Sequence, residues 1–123
     1  NARGELVACK CVPRAELGRE SDRAAVASEA KMLLEAAAAG ASPPVVALHQ
    51  VLEDARGVYL VMEPCGGGDL AAWLGARPAF SEADAAEAFW ALASAVAAVH
   101  AAGIFHRDVK PANALFTGSG ELR

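Results

Sequence analysis

The sequence predicts an α+β chain in which a small sheet with one helix leads into a helical half. Three observations carry that reading. Short runs rich in β-formers fall at residues 5–12, 45–53 and 58–63. Two longer segments open on Ser or Asp and close on Gly, the residues that start and stop helices. Between the two halves stands Gly66-Gly67-Gly68, a triplet that breaks regular structure and reads as a hinge.

The elements follow in order. Glu5 to Val12 reads as a strand, ended by Pro13. Ser21 or Asp22 caps a helix running to Ala39, where Gly40 supplies a left-handed cap and Pro43-Pro44 prevents continuation. Val26, Met32 and Leu33 give that helix a partial apolar face, with Glu29 one turn before Leu33. Val45–Glu53 and Val58–Glu63 read as two strands joined by the turn Asp54-Ala55-Arg56-Gly57. Asp69 starts a short helix with Leu70, Trp73 and Leu74 on one side, and Pro78 ends the region. Ser81, with Asp84 as a capping-box variant, opens a long helix that stops at Gly103. Phe89, Leu92, Val96, Val99 and His100 recur along it at helical spacing, and Trp73 and Trp90 read as core. Ala114 to Phe116 reads as a last strand before the turn Thr117-Gly118-Ser119-Gly120.

Composition narrows the classes. Hydrophobic residues make up 54% of the 123, but 31 of these are alanines, which bury little area. Val, Leu, Ile and Phe number 28, enough for one ordinary core and not for two. A net charge of −4 and a pI near 5.3 argue against a nucleic-acid binder. The longest uncharged stretch, Ala88 to His106, carries Trp90, Ser94, His100 and Gly103, and reads as a buried helix and no membrane span. Three cysteines, Cys9, Cys11 and Cys65, have no metal-ligand spacing and argue against a disulfide framework and for a reducing compartment. Cys9 and Cys11 are two apart and point to the same side of one strand.

The segment His106 to Asn113 carries the chemistry. Phosphoryl transfer needs a carboxylate to orient a hydroxyl, a cation for the transferring group and an oxygen ligand for a metal. Asp108, Lys110 and Asn113 supply these three within one short loop. The segment resembles the catalytic loop H-R-D-x-K-P-x-N of eukaryotic protein kinases, with Ala112 at the position usually held by Glu. Val7-Ala8-Cys9-Lys10 resembles the kinase V-A-I-K strand, and Glu29 the helix glutamate that pairs with its lysine. Glu20 and Glu35 are rival acids on that helix, but Met32-Leu33 after Glu29 fits the family pattern best.

The resemblance implies a partial bilobal kinase-like fold. Residues 1–63 would form part of the small lobe, 64–68 the hinge, and 69–123 the start of the helical lobe. It implies ATP and magnesium as cofactors. Lys10, paired with Glu29, would hold the α- and β-phosphates. Ala8 and Leu115 would sandwich adenine, with Leu70 extending the column. Met62 would be the gatekeeper, the backbone of Glu63 and Cys65 would read the adenine edge, and Asp69 would bind the ribose hydroxyls as well as cap its helix. Asp108 would orient the substrate hydroxyl, Lys110 would stabilise the γ-phosphoryl charge and Asn113 would hold magnesium. Leu33, Leu48 and His106 resemble the apolar stack between lobes, and Arg107 the arginine that grips an activation-loop phosphate.

Lys110 further resembles the serine/threonine branch, so the implied partner is a protein carrying Ser or Thr. V-Y-L-V-M-E-x-C-x-G-G-D-L together with H-R-D-V-K-P-x-N looks most like the calcium/calmodulin-dependent and calcium-dependent kinases, though no EF-hand loop occurs here. No G-x-G-x-x-G precedes Lys10 and no D-F-G follows Asn113. The expectation is therefore a central fragment of a cytoplasmic, and also nuclear, kinase, inactive by itself, with regulatory domains outside it. The alternative is a truncated, non-catalytic binding module.

Overall fold

The computed structural model describes residues 4–38, 45–76, 81–101 and 103–123. The stops expected at Ala39, Gly40, Pro43-Pro44 and Pro78 lie outside the described residues. The described residues divide into two compact units, 4–38 with 46–64 and 45 with 65–123.

The first unit holds a three-stranded antiparallel sheet and a helix. Strands β1 (Ala8–Pro13), β2 (Leu48–Glu53) and β3 (Gly57–Met62) run in the order β1-β3-β2. The central strand decides the length of its neighbours. Ala8 and Leu48 both stand opposite Met62, the last residue of β3. Beyond that pair residues 5–7 have no ladder partner and 45–47 keep only the backbone bond from the Glu63 N–H to Ala47 O, so β1 and β2 each start three residues later than their composition suggests. His49 is an extra residue on β2, because pairing passes from Leu48↔Met62 to Gln50↔Val61.

The turn between β2 and β3 closes as expected. Asp54 donates its N–H to Gly57 O at 3.0 Å. Its Oδ1 accepts from the N–H groups of Arg56 at 2.7 Å and Gly57 at 3.1 Å, and from Tyr59 OH at 3.1 Å. The Arg56 N–H above all, with Gly57 and Tyr59, holds the Asp54 carboxyl below its ordinary 3.8.

Helix α1 (Glu20–Ala38) begins ahead of Ser21. The side chain of Asp22 reaches back to the N–H of Arg19 at 3.1 Å, which is the return half of a capping box, so Ser21 and Asp22 lie inside the first turn and are not its cap. A 3-10 turn over Arg14–Leu17, not foreseen in the sequence, precedes it and buries Leu17. Ala30, Leu33 and Ala36 form the buried stripe of α1, which touches β2. Two of the three are alanines, whose small side chains bring the helix close to the sheet. Leu60, in mid-β3, is fully buried.

In the second unit β4 (Gly68–Asp69) pairs with β5 (Leu115–Phe116). The glycine triplet thus does more than break structure, since Gly68 is a strand residue. Gly67 donates to Phe116 O at 2.9 Å, and a Cβ on Gly67 would stand 2.6 Å from Thr117 O and 2.8 Å from Phe116 Cβ. Only glycine permits that approach. Helix α2 (Leu70–Gly75) buries Leu70, and Trp73, 38% exposed, lies against Phe116 with ring centroids 5.6 Å apart.

Helix α3 (Glu82–Ala101) starts at the expected cap, Ser81 Oγ accepting from the Asp84 N–H at 3.1 Å. It is not the buried helix its apolar run suggests. Trp90 is 74% exposed and Phe89 72%, so Trp90 is not core. The buried stripe is Ala95 and Val99, continued by the half-buried Ala88 and Leu92. That stripe steps by three and four residues, and Phe89 and Trp90 lie around the helix from it.

Candidate active site

Strand alternation sets the first cluster. Lys10 stands opposite Leu60 and Ala8 opposite Met62, so these four share one face of the sheet. Lys10 crosses from that face to α1, where its Nζ donates to both carboxylate oxygens of Glu29 at 2.7 Å. Glu29 precedes Ala30 in the buried stripe, and the anchoring of that stripe aims it at the sheet. Of its rivals, Glu35 is engaged by Lys31 one turn away at 3.6 Å. The Lys10 and Glu29 side chains are 49% and 34% exposed, so the pair contributes little to stability. Its geometric effect is to hold an ammonium at a fixed place.

The second cluster lies beyond α3. Gly103, with φ +76°, donates to His100 O at 2.9 Å and stops the helix in a left-handed cap. Ile104 is buried and anchors the outgoing chain. Arg107 follows with φ +61°, which strains a residue bearing a Cβ. Nothing in the residue type announces this, since arginine is not among the residues that favour that region. The Asp108 N–H then donates to His106 Nδ1 at 3.3 Å.

Asp108, Lys110 and Asn113 come together as the sequence suggests. Lys110 Nζ lies 2.7 Å from Asp108 Oδ2. Asn113 Nδ2 donates to Asp108 O and to Asp108 Oδ2, both at 2.9 Å. A 3-10 turn over Pro111–Asn113, started by the fixed φ of Pro111, brings Asn113 back over the loop. Asn113 therefore clamps Asp108 as well as offering its own oxygen, a positioning part that the sequence pattern did not reveal. Lys110 first, and Asn113 next, lower the Asp108 carboxyl below its ordinary 3.8. A carboxylate held ionised orients a hydroxyl by accepting its proton in a hydrogen bond, and is a weak base for removing it.

The remaining positions are placed as follows. Ala8, Met62 and Leu115 are half-buried. Glu63 donates its N–H to Ala47 O at 2.9 Å. Cys65, half-buried, accepts from the Gly68 N–H at 3.4 Å. Asp69 caps α2, its Oδ1 accepting from the Ala72 N–H at 2.7 Å. Leu33 and Leu48 are buried in the first unit, and His106 is half-buried in the second.

The donor set fits a nucleotide and a hard cation. Lys10 offers a held ammonium of the kind that binds phosphate. Asn113 spends its amide hydrogens on Asp108, and among the described residues its Oδ1 accepts no hydrogen bond. An amide oxygen is a suitable ligand for magnesium, which takes oxygen ligands and keeps several waters. Among the described residues no three His, Cys, Asp or Glu side chains cluster as a self-sufficient metal cage.

Comparison with known proteins shows the family. The family model of the protein kinase domain matches residues 1–123. Calcium-dependent protein kinase 9 of Oryza sativa subsp. japonica is 40% identical over 117 residues, covering 95% of this chain and 20% of the relative. Calcium-dependent protein kinase 22 of Arabidopsis thaliana is 34% identical over 125 residues, covering 98% of this chain and 24% of the relative. The calcium and calcium/calmodulin-dependent serine/threonine-protein kinase of Lilium longiflorum is 50% identical over 74 residues, covering 60% and 14%. The chain thus spans a quarter or less of the length of these relatives.

Proposed function

The chain belongs to the protein kinase family, and on that premise we propose that the polypeptide carrying it transfers the γ-phosphoryl group of ATP to serine or threonine hydroxyls of proteins. The observation that carries the reading is the loop in which Asp108 is held ionised by Lys110 and clamped by Asn113. Asp108 accepts a hydrogen bond from the substrate hydroxyl and points its oxygen at phosphorus. Lys110 follows the charge that develops on the transferring group. Asn113 offers Oδ1 to magnesium, which when bound neutralises phosphate charge. In the first unit Lys10, fixed by Glu29, takes the α- and β-phosphates, and Ala8, Met62 and the Glu63 backbone serve adenine. In the second, Cys65, Leu115 and Asp69 serve the adenosine part.

Serine/threonine preference rests on Lys110 and on the names of the relatives. Residues 64–68 act as the hinge in this reading. The compartment proposed is the cytoplasm, in keeping with three free cysteines; among the described residues no helix is long and apolar enough to cross a membrane.

The test is Asp108→Asn in the complete polypeptide, assayed for phosphate transfer to a Ser/Thr peptide and for ATP affinity. Asparagine keeps the size and loses the charge. Transfer should fall about 10²–10⁴-fold while ATP affinity holds. Unchanged transfer would overturn the assignment of Asp108, and absence of ATP binding in the unsubstituted polypeptide would favour a non-catalytic module.

A further inference from the structure

Lys10 has a cysteine on either side, and both sulfurs stand on the opposite face of β1. Cys9 faces Val61 and Cys11 faces Tyr59 across the ladder, on the side away from α1. Their Sγ atoms are 3.7 Å apart, and both side chains are exposed. A disulfide needs about 2.05 Å between sulfurs and Cα atoms within about 6.8 Å, most often near 5.5–6 Å. Two steps of strand span about 6.6–6.8 Å, at the upper end of that range. The Cα atoms are within reach, but side chains on one face of a strand hold their Cβ atoms about 6.6–6.8 Å apart, against roughly 3.5–4.5 Å in a disulfide, so the pair closes only as β1 contracts at residue 10. A bond made under that strain is easily reduced again.

We propose that Cys9 and Cys11 form a redox-active dithiol site for low-molecular-weight disulfides, and that its closure displaces Lys10 from Glu29. One protein thiolate attacks a sulfur of the disulfide, breaking its S–S bond and releasing one thiol, which takes up the proton. The second protein thiolate attacks the resulting mixed disulfide at the protein sulfur and releases the other thiol. Two protein thiols are oxidised and one small disulfide is reduced to two thiols. Hydrogen bonding with Cys11 pushes the Cys9 thiol above its ordinary 9.0, so this exchange calls for excess disulfide in neutral solution. Lys10 is carried by the contracting segment, and its Nζ is held to Glu29 at 2.7 Å by two hydrogen bonds with little slack. The site does not depend on the phosphate-transfer reading.

The chain is incubated with excess glutathione disulfide, its remaining thiols are alkylated, and it is cleaved by a Glu-specific protease. Cleavage after Glu5 and Glu16 leaves both cysteines and Lys10 in one peptide, 6–16. The expected product is that peptide unalkylated and about two daltons lighter than its dithiol, reverting with a reductant. A brief pulse of an amine-acylating ester before cleavage reads Lys10 in the same peptide. Its acylation should rise on oxidation, by about fivefold at most for so exposed a pair. Cys11→Ser, which cannot close, should hold one glutathione at Cys9 and leave the Lys10 rate unchanged. Stable glutathione adducts on the unsubstituted chain, or a bond from either cysteine to Cys65, overturn the site. An unchanged Lys10 rate in the closed peptide overturns the coupling.

Discussion

Single side chains decide the chemistry by how they are held, more than by how deeply they lie. Lys10, Glu29, Asp108 and Lys110 are all at least a third exposed, so their ion pairs contribute little to folding. Glu29→Gln should therefore change the urea midpoint hardly at all, by less than about 1 kcal/mol in unfolding free energy. In the complete polypeptide it should nonetheless reduce ATP-dependent transfer, which a coupled assay of the same sample measures. Asp69 separates two roles in the same way. Asp69→Asn keeps a capping oxygen for the Ala72 N–H and should preserve stability, whereas Asp69→Ala should cost about 1 kcal/mol. If nucleotide affinity falls equally in both variants, the carboxylate charge serves the ribose and not only the cap. For Asp108 the sign of the pH effect follows from its lowered value. Its paired, ionised form stabilises the fold above the ordinary 3.8, and that contribution is lost as pH falls through the lower folded value. Between pH 5 and 8 Asp108 stays ionised, so replacing it with Asn should leave the shape of the stability curve unchanged across that interval.

Elements are fixed by what lies beside them. The six residues of β3 limit both neighbours, which is why β1 and β2 start late. The same dependence makes Leu60 the most exposed to risk among core positions. It is fully buried in the central strand, and Leu60→Ala should destabilise the first unit by about 2–5 kcal/mol. Such a loss is comparable with the whole stability of many small domains, so broadened amide signals across β1 to β3 are expected in its NMR spectrum. Gly67 plays the corresponding part in the second unit. Gly67→Ala brings a methyl group against the backbone of Phe116 and Thr117, and should cost about 1–3 kcal/mol and lower the protection of the β4–β5 amides in hydrogen exchange.

At the scale of the chain, the alanine excess is spread over helices α1 and α3, where it makes close packing possible without making much core. In α1 that is productive, since Ala30 and Ala36 border Leu33 in the buried stripe. In α3 the stripe is built on Ala95 and Val99, and the two large aromatics stay outside it. An exposed Phe-Trp pair raises association in solution. Phe89→Ser with Trp90→Ser should reduce light scattering at high concentration without lowering the melting temperature of the chain. A lower melting temperature would mean that these aromatics belong to the core after all.

Much was legible in the sequence. The turn at Asp54–Gly57 and the caps at Asp69, Ser81 and Gly103 follow from local chemistry, because each is made by residues within a few positions of one another. The loop proposed as catalytic is legible for the same reason, since Asp108, Lys110 and Asn113 reach each other along one short segment. Pairing of Lys10 with Glu29 was an expectation drawn from resemblance; the tertiary structure alone supplies its 2.7 Å contact, by setting the α1 stripe against the sheet. It alone also decides strand ends, which depend on the length of a neighbour, and the exposure of Trp90, which depends on which side of α3 finds a partner. Hydrophobic character is a property of a residue, whereas burial is a property of its surroundings, and for Phe89 and Trp90 the two part company.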